Sequence, residues 1–140
     1  MAGFPEAVKF VIDELEGGSK IVGDSGGLTK YGISSRAHPG IDVVNLTRAE
    51  AEDIYKREYW PVVDFYRLRW PMSLVIFDTA VNQGENFAIE VAHGSWSVPT
   101  ALLMRIQRYA DIAEKNPLRR QYFMGWVNRV LKVWHRTQGQ

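Results

Sequence analysis

Residues 71–84 read PMSLVIFDTAVNQG, and this stretch decides the fold. A proline suits the first turn of a helix, where its missing N–H is not needed, and the residues after it are apolar on nearly every side. Such a helix has no stripe to offer water, so it is expected to be the buried central helix around which the other elements pack. Asp78 and Asn82 lie one turn apart on it. Polar groups in that position are costly unless they meet partners. Two roles are open for them: a structural hydrogen-bond network, or the floor of a ligand cleft.

Downstream, residues 85–98 carry little pattern. Pro99 again suits a first helical turn, here for TALLMRIQRYADIAEK (100–115), and Pro117 separates that helix from the last one. In the last helix Phe123, Trp126, Val127, Val130, Leu131 and Trp134 follow the 3,4 spacing of a core face. Arg129, Lys132 and Arg136 line the opposite side, which predicts a solvated basic stripe.

Upstream, TRAEAEDIYKREYW (47–60) opens with Thr47 and Glu50 at the spacing of a capping box, and Pro61 is expected to close the helix. Tyr59 and Trp60 at its end either complete a core or stack on a ligand ring. Residues 36–46 form a loop. Ala7, Val8, Val11, Ile12 and Leu15 recur at helical spacing, and Gly17 and Gly18 stop the pattern, so the first helix is expected over residues 5–16. Between them, residues 19–34 are glycine-rich with apolar Ile21, Val22, Leu28 and Ile33, the pattern of a small β-hairpin. Thr29 and Tyr31 alternate with Leu28 and Lys30 there, which puts them on one strand face. The expected architecture is α+β and mainly helical: a helix, a small β-hairpin, then four or five helices, in a single domain over residues 1–140.

Composition narrows the chemistry. Hydrophobic residues make up 46% and charged residues 24% of the 140, an ordinary globular balance. Without cysteine there is no disulfide, thiolate metal site or cysteine nucleophile. His38, His93 and His135 are scattered, with no HExxH spacing, and there is neither a GxSxG elbow nor a phosphate-binding loop. No metal or other cofactor is therefore expected. A net charge of +1 is too mild to argue for nucleic acid. Glu6, Lys9 and Asp13 interrupt the apolar N-terminal stretch, so neither a signal peptide nor a membrane segment is expected, and synthesis in the cytoplasm follows.

Hydrolysis of a glycosidic bond needs one carboxylic acid to protonate the leaving oxygen and usually a second carboxylate to attack the sugar or activate water. Glu16 and Asp24 are the candidate pair. Glu16 stands at a helix end where two glycines remove side-chain bulk, Asp24 on the following turn, and the Thr29 hydroxyl is suited to hold a water. Periodicity does not separate Glu16 from Glu14, and Asp24 in GDSGG also suits a turn former.

The ordered motifs LEGG, DSGGLTKYGIS, EAEDIYKREYW, FDTAVNQG and GWVNRV resemble glycoside hydrolase family 108 over about residues 4–84, returning at 123–130. The resemblance implies a muramidase with a lysozyme-like helical fold. It puts the general acid on Glu16 and a second catalytic position on Asp24, and phage-type lysozymes more broadly place Thr29 third. Asp24 follows Glu16 by eight positions and Thr29 follows Asp24 by five, each about one short of the phage-type interval. Tyr31, Trp60, Asp78 and Asn82 are the expected substrate-binding residues, the last two toward N-acetyl groups. Such lysozymes also bring a basic residue of the C-terminal helix toward the acid, a role open to Arg129. After Gln83 the chain departs from the peptidoglycan-binding region of many relatives.

The expected activity is cleavage between N-acetylmuramic acid and N-acetylglucosamine, with inversion requiring carboxyls about 6.5–9.5 Å apart. For Glu16 to donate a proton near neutral pH, apolar burial must raise its pKa. The expected partner is the peptidoglycan glycan strand, engaged by a monomeric phage lysin that reaches the wall after holin release or virion delivery. The rivals are a lytic transglycosylase and a non-catalytic wall-binding or virion structural protein.

Overall fold

The computed structural model describes residues 3–24 and 27–139, with the side chain of Asp24 outside that description. Described residues up to Pro61 and those from Val62 onward form two compact units.

The first unit opens with α1 (Phe4–Phe10), started by Pro5 in its first turn and by the Glu6 carboxylate, which accepts the Gly3 N–H at 2.7 Å. Ala7, Val8, Val11 and Ile12 are buried, the stripe expected from their spacing. After Phe10 the helix widens into a π-helical turn (Val11–Leu15), and the Glu16 N–H returns five residues to the Val11 carbonyl at 2.9 Å. Gly17 and Gly18 follow at φ +81° and +65°, a left-handed conformation that glycine adopts without penalty. The Gly18 N–H then closes on the Ile12 carbonyl at 2.8 Å.

Three short antiparallel strands come next, β1 (Val22–Asp24), β2 (Gly27–Lys30) and β3 (Ile33–Ser34), in the order β1-β2-β3. Thr29 faces Val22 on one side and Ser34 on the other. Tyr31 does not extend β2, contrary to the alternation. It forms with Gly32 a two-residue turn at φ +53° and +80°, because a tight hairpin loop must twist with its strands. The capping box of α2 (Arg48–Glu58) is present: Thr47 Oγ1 accepts the Glu50 N–H at 3.2 Å and Glu50 Oε1 accepts the Thr47 N–H at 2.9 Å. Across the unit, Asp13 is held by Lys9 at 2.8 Å and by Arg48 at 2.7 Å, tying the first helix to α2.

The second unit contains five α-helices among the described residues. Pro61 does not merely end α2; it starts a further short helix, α3 (Pro61–Tyr66). In α4 (Met72–Gln83) every residue from 73 to 80 is buried, as expected of a central helix. α5 (Glu85–Gly94) occupies the segment of weak pattern, its buried Phe87, Ala88 and Val91 too few to stand out in sequence. α6 (Val98–Lys115) is capped by Ser97 and has Pro99 in its first turn. A 3-10 turn (Pro117–Tyr122) leads into α7 (Phe123–Gln138). α4 packs on α5 and α6, and α6 on α7. No helix among the described residues is long and apolar enough to cross a membrane.

Asp78 is wholly buried on α4 and accepts hydrogen bonds from Arg105 Nη2 at 2.9 Å and Arg129 Nη2 at 2.7 Å. Burial pushes its carboxyl up, but the charges and hydrogen bonds of Arg129 and Arg105 outweigh burial and hold it below the usual carboxylate range. This corrects the expected face of α7. Val130, Val133 and Thr137 are its buried residues, Leu131 is 45% exposed, and the Arg129 side chain, expected in solvent, is only 11% exposed. A buried carboxylate needs a cation more than the helix needs another leucine inside.

Asp78→Asn, which leaves the fully buried Arg105 guanidinium without its carboxylate, is expected to cost about 3–5 kcal/mol in urea unfolding. Asp13 gives a milder, pH-dependent effect. Hydrogen bonds from Arg48 and then Lys9 lower its carboxyl to about 2, so its contribution is present above the unfolded value near ~3.9 and fades as pH falls through about 2. Because Asp13 is partly exposed, Asp13→Asn is expected to cost at most about 1 kcal/mol at pH 7. The gap to the unaltered protein in urea midpoint should narrow toward pH 2.

Candidate active site

Glu16 caps the π-helical turn, with φ −109° and ψ 1°. The wider turn changes the register of the last residues of the helix, so a uniform 3.6-residue period does not describe where they face. Glu14 is exposed and Glu16 half-buried. A side chain at Gly17 or Gly18 would meet nothing within 4 Å, so the space beside Glu16 on that flank is open.

The opposite flank is crowded. A Cβ added at Gly32 would lie 2.7 Å from Glu16 Cγ and 3.0 Å from Cδ, and would also collide with the Tyr55 hydroxyl. The β2–β3 turn, the Glu16 carboxyl and Tyr55 therefore converge on one point. Backbone bonds hold them together: the Tyr31 N–H donates to the Gly18 carbonyl at 3.2 Å, and the Tyr55 hydroxyl donates to the Tyr31 carbonyl at 2.8 Å. Tyr59, one turn beyond Tyr55, packs on it with ring centroids 5.6 Å apart. Burial pushes the Tyr59 hydroxyl up, and the negative charges of Glu58 and Glu16 add to the shift, so this phenol stays protonated beside the acid.

The other expected site residues divide. Thr29, on β2, is half-exposed, and its hydroxyl has no hydrogen-bond partner among the described residues. Asp24 closes β1 opposite Gly27, and its side chain lies outside the described residues. Tyr31 takes part through its backbone carbonyl, which accepts from Tyr55, while its ring lies under the Lys30 ammonium at 5.5 Å. Trp60 is 7% exposed and packs edge-on to Phe4 at 5.2 Å, the core alternative. Asp78 belongs to the arginine network of the second unit, the structural alternative. Asn82, in that unit, lines a cavity and accepts from the Tyr109 hydroxyl. Sequence reasoning missed Gly32 and Tyr55. Tyr55 carries a signal, since it shares the inward stripe of α2 with Ala51 and Ile54 and sits one turn before Tyr59.

A half-buried carboxyl at a helix end, followed by two glycines with open space at their Cβ positions and faced by the Tyr55 phenol, has the chemistry to pass a proton to a bound oxygen. Hydrolases working by carboxyl chemistry are among the classes such a site serves. The profile of the family described as Glycosyl hydrolase 108 matches residues 9–84, more than half of the chain, and the chain belongs to that family. It is therefore a glycoside hydrolase with a glycan substrate, and membership implies peptidoglycan as that glycan. No curated protein and no solved structure gives a significant match.

Gly32→Ala combines a left-handed φ with a collision against Glu16 and Tyr55. It is expected to lower stability by about 1–3 kcal/mol. Misplacement of the acid should reduce peptidoglycan clearance on the order of 10²-fold. Activity assayed well below the variant's unfolding midpoint separates the two effects.

Proposed function

We propose that the protein is an endo-acting muramidase that hydrolyses the bond between N-acetylmuramic acid and N-acetylglucosamine, with Glu16 donating a proton to the leaving oxygen. The observation that carries this is the position of Glu16 within the family-matched segment: a carboxyl against the Gly32 turn and Tyr55, with open space beside Gly17 and Gly18. Asp24 and Thr29 position the attacking water, which gives inversion at the anomeric carbon. The Thr29 hydroxyl, without a protein partner among the described residues, is consistent with that task. Tyr31 borders the site, and Asn82 contacts an N-acetyl group. The protein acts as a monomeric phage lysin, delivered to the wall by holin release or within the virion.

Mass spectrometry of digested peptidoglycan tests the reaction. Fragments that gain one water at a muramic reducing end support hydrolysis; anhydromuramic ends overturn it in favour of a lytic transglycosylase. No clearance by the unaltered protein points to a non-catalytic wall-binding role. Glu16→Gln, with its helical circular dichroism intact, should lose about 10²–10⁴-fold in rate. Unchanged clearance by that variant removes Glu16 from the mechanism. The anomer first released, followed by proton NMR, should be the α form if the bond cleaved is β and inversion operates.

A further inference from the structure

Charge is segregated along the chain. Residues 115–140 hold six of the 17 basic residues and no Asp or Glu, a net +6, whereas the 11 basic and 16 acidic residues before them leave −5. The nearest acids in sequence, Asp111 and Glu114, lie on α6 before the stretch begins. Two of the six cations are engaged inside the second unit: Arg129 by Asp78, and Arg136 by the Trp70 ring, 4.8 Å from its guanidinium. Lys115, Arg119, Arg120 and Lys132 are exposed. Arg119 lies over the Trp126 ring at 5.9 Å and Arg120 Nε donates to the Ala113 carbonyl at 3.3 Å, contacts that orient the guanidiniums without cancelling their charge.

Apolar side chains stand among these cations instead of in the core. Leu118 is 81% and Met124 64% exposed, and Tyr122 and Leu131 are exposed as well. On α7, Met124, Asn128, Leu131 and His135 follow one another at steps of four, three and four residues and so form one stripe, exposed throughout, with Lys132 beside it. Val130, Val133 and Thr137 are the face of α7 that packs into the unit. Large apolar side chains clustered among cations of one sign are the composition of an interfacial helix.

Three classes of partner use such a face differently. A nucleic-acid backbone engages the cations and leaves leucine and methionine in water, and an apolar protein patch engages the latter and leaves the cations without counter-charge. An anionic bilayer uses both, because its phosphates stand at the level of the guanidiniums and its acyl boundary lies just beneath. We propose that the end of α6, the 3-10 turn and the exposed stripe of α7 form a docking surface for an anionic phospholipid bilayer. Lys115, Arg119, Arg120 and Lys132 meet the headgroup phosphates, while Leu118, Met124 and Leu131 enter the acyl boundary. The docked protein lies on the membrane and does not span it. This docking needs neither Glu16 nor the reaction assigned to it.

Cosedimentation of the full-length chain with vesicles tests the surface. Vesicles of equimolar phosphatidylglycerol and phosphatidylcholine should bind it saturably, and vesicles of phosphatidylcholine alone about 10²-fold or more weakly. Arg119→Gln and Lys132→Gln should each weaken binding about fivefold, and Met124→Ser and Leu131→Ser about tenfold. All four positions are exposed, and intact helical circular dichroism shows that each variant folds. Because the chain has no cysteine, a polarity-sensitive dye can be attached at Met124→Cys and, separately, at Val44→Cys, an exposed position of the first unit. Anionic vesicles should shift the emission at 124 to the blue and leave that at 44 unchanged. Equal affinity for neutral vesicles, no binding at all, or the same shift at both positions overturns the proposal. Binding that survives Met124→Ser and Leu131→Ser undiminished also overturns it, and tighter binding to duplex DNA with the same indifference assigns the face to nucleic acid instead. A dimer that Met124→Ser dissolves, seen by analytical ultracentrifugation without vesicles, gives the face to a second copy of the chain and overturns the membrane assignment.

Discussion

Asp78 is a carboxylate in the middle of a helix that has no solvent-facing side between residues 73 and 80. Leaving that charge unpaired would cost several kcal/mol, so other helices of the second unit must deliver cations to it. Arg105 from α6 donates to Oδ2 at 2.9 Å, and Arg129 from α7 donates to Oδ1 at 2.7 Å and through Nε to both oxygens at 3.2 Å. Pairing both oxygens fixes the rotation of two helices about their own axes. Tyr109 and Trp126 lie on those same helices one turn from the arginines, so the network also sets which aromatic rings line the cavity beside Asn82. A packing requirement thus also sets the lining of that cavity.

The first unit is organised around backbone conformation instead of charge. Three consecutive features place the Glu16 carboxyl: the π-helical turn, the two left-handed glycines after it, and the Tyr31–Gly32 turn that returns the chain against it. Each is a local departure from regular structure, and each is held by a specific bond: Glu16 to Val11, Gly18 to Ile12, Tyr55 to Tyr31. Gly32 is the point at which they meet, since any side chain there would displace the acid.

Features governed by neighbours within four residues were legible in the chain. The Thr47–Glu50 box, the Pro99 turn, the glycine stop after the first helix and the buried run 73–80 of α4 all appear as expected. In α7 the expectation failed because a distant partner had intervened, and at Tyr31 because a tight turn had. α7 presents Arg129 and Val133 inward in place of Leu131 because a carboxylate 51 residues earlier has to be neutralised. Tyr31 left its strand because the β2–β3 connection has only two residues in which to reverse. Trp60 took the core alternative, one of the two places open to it, against Phe4.

By itself the sequence determined the family, the mainly helical α+β class and Glu16 as the candidate acid, because ordered motifs, caps and glycines act through local conformation. Tertiary structure alone decided why Glu16 differs from Glu14, which hydroxyls surround it, and that Asp78 and Arg129 form one buried pair. Those outcomes depend on a π-helical turn and on charges brought together from separate helices, and neither a fixed helical period nor residue type encodes them.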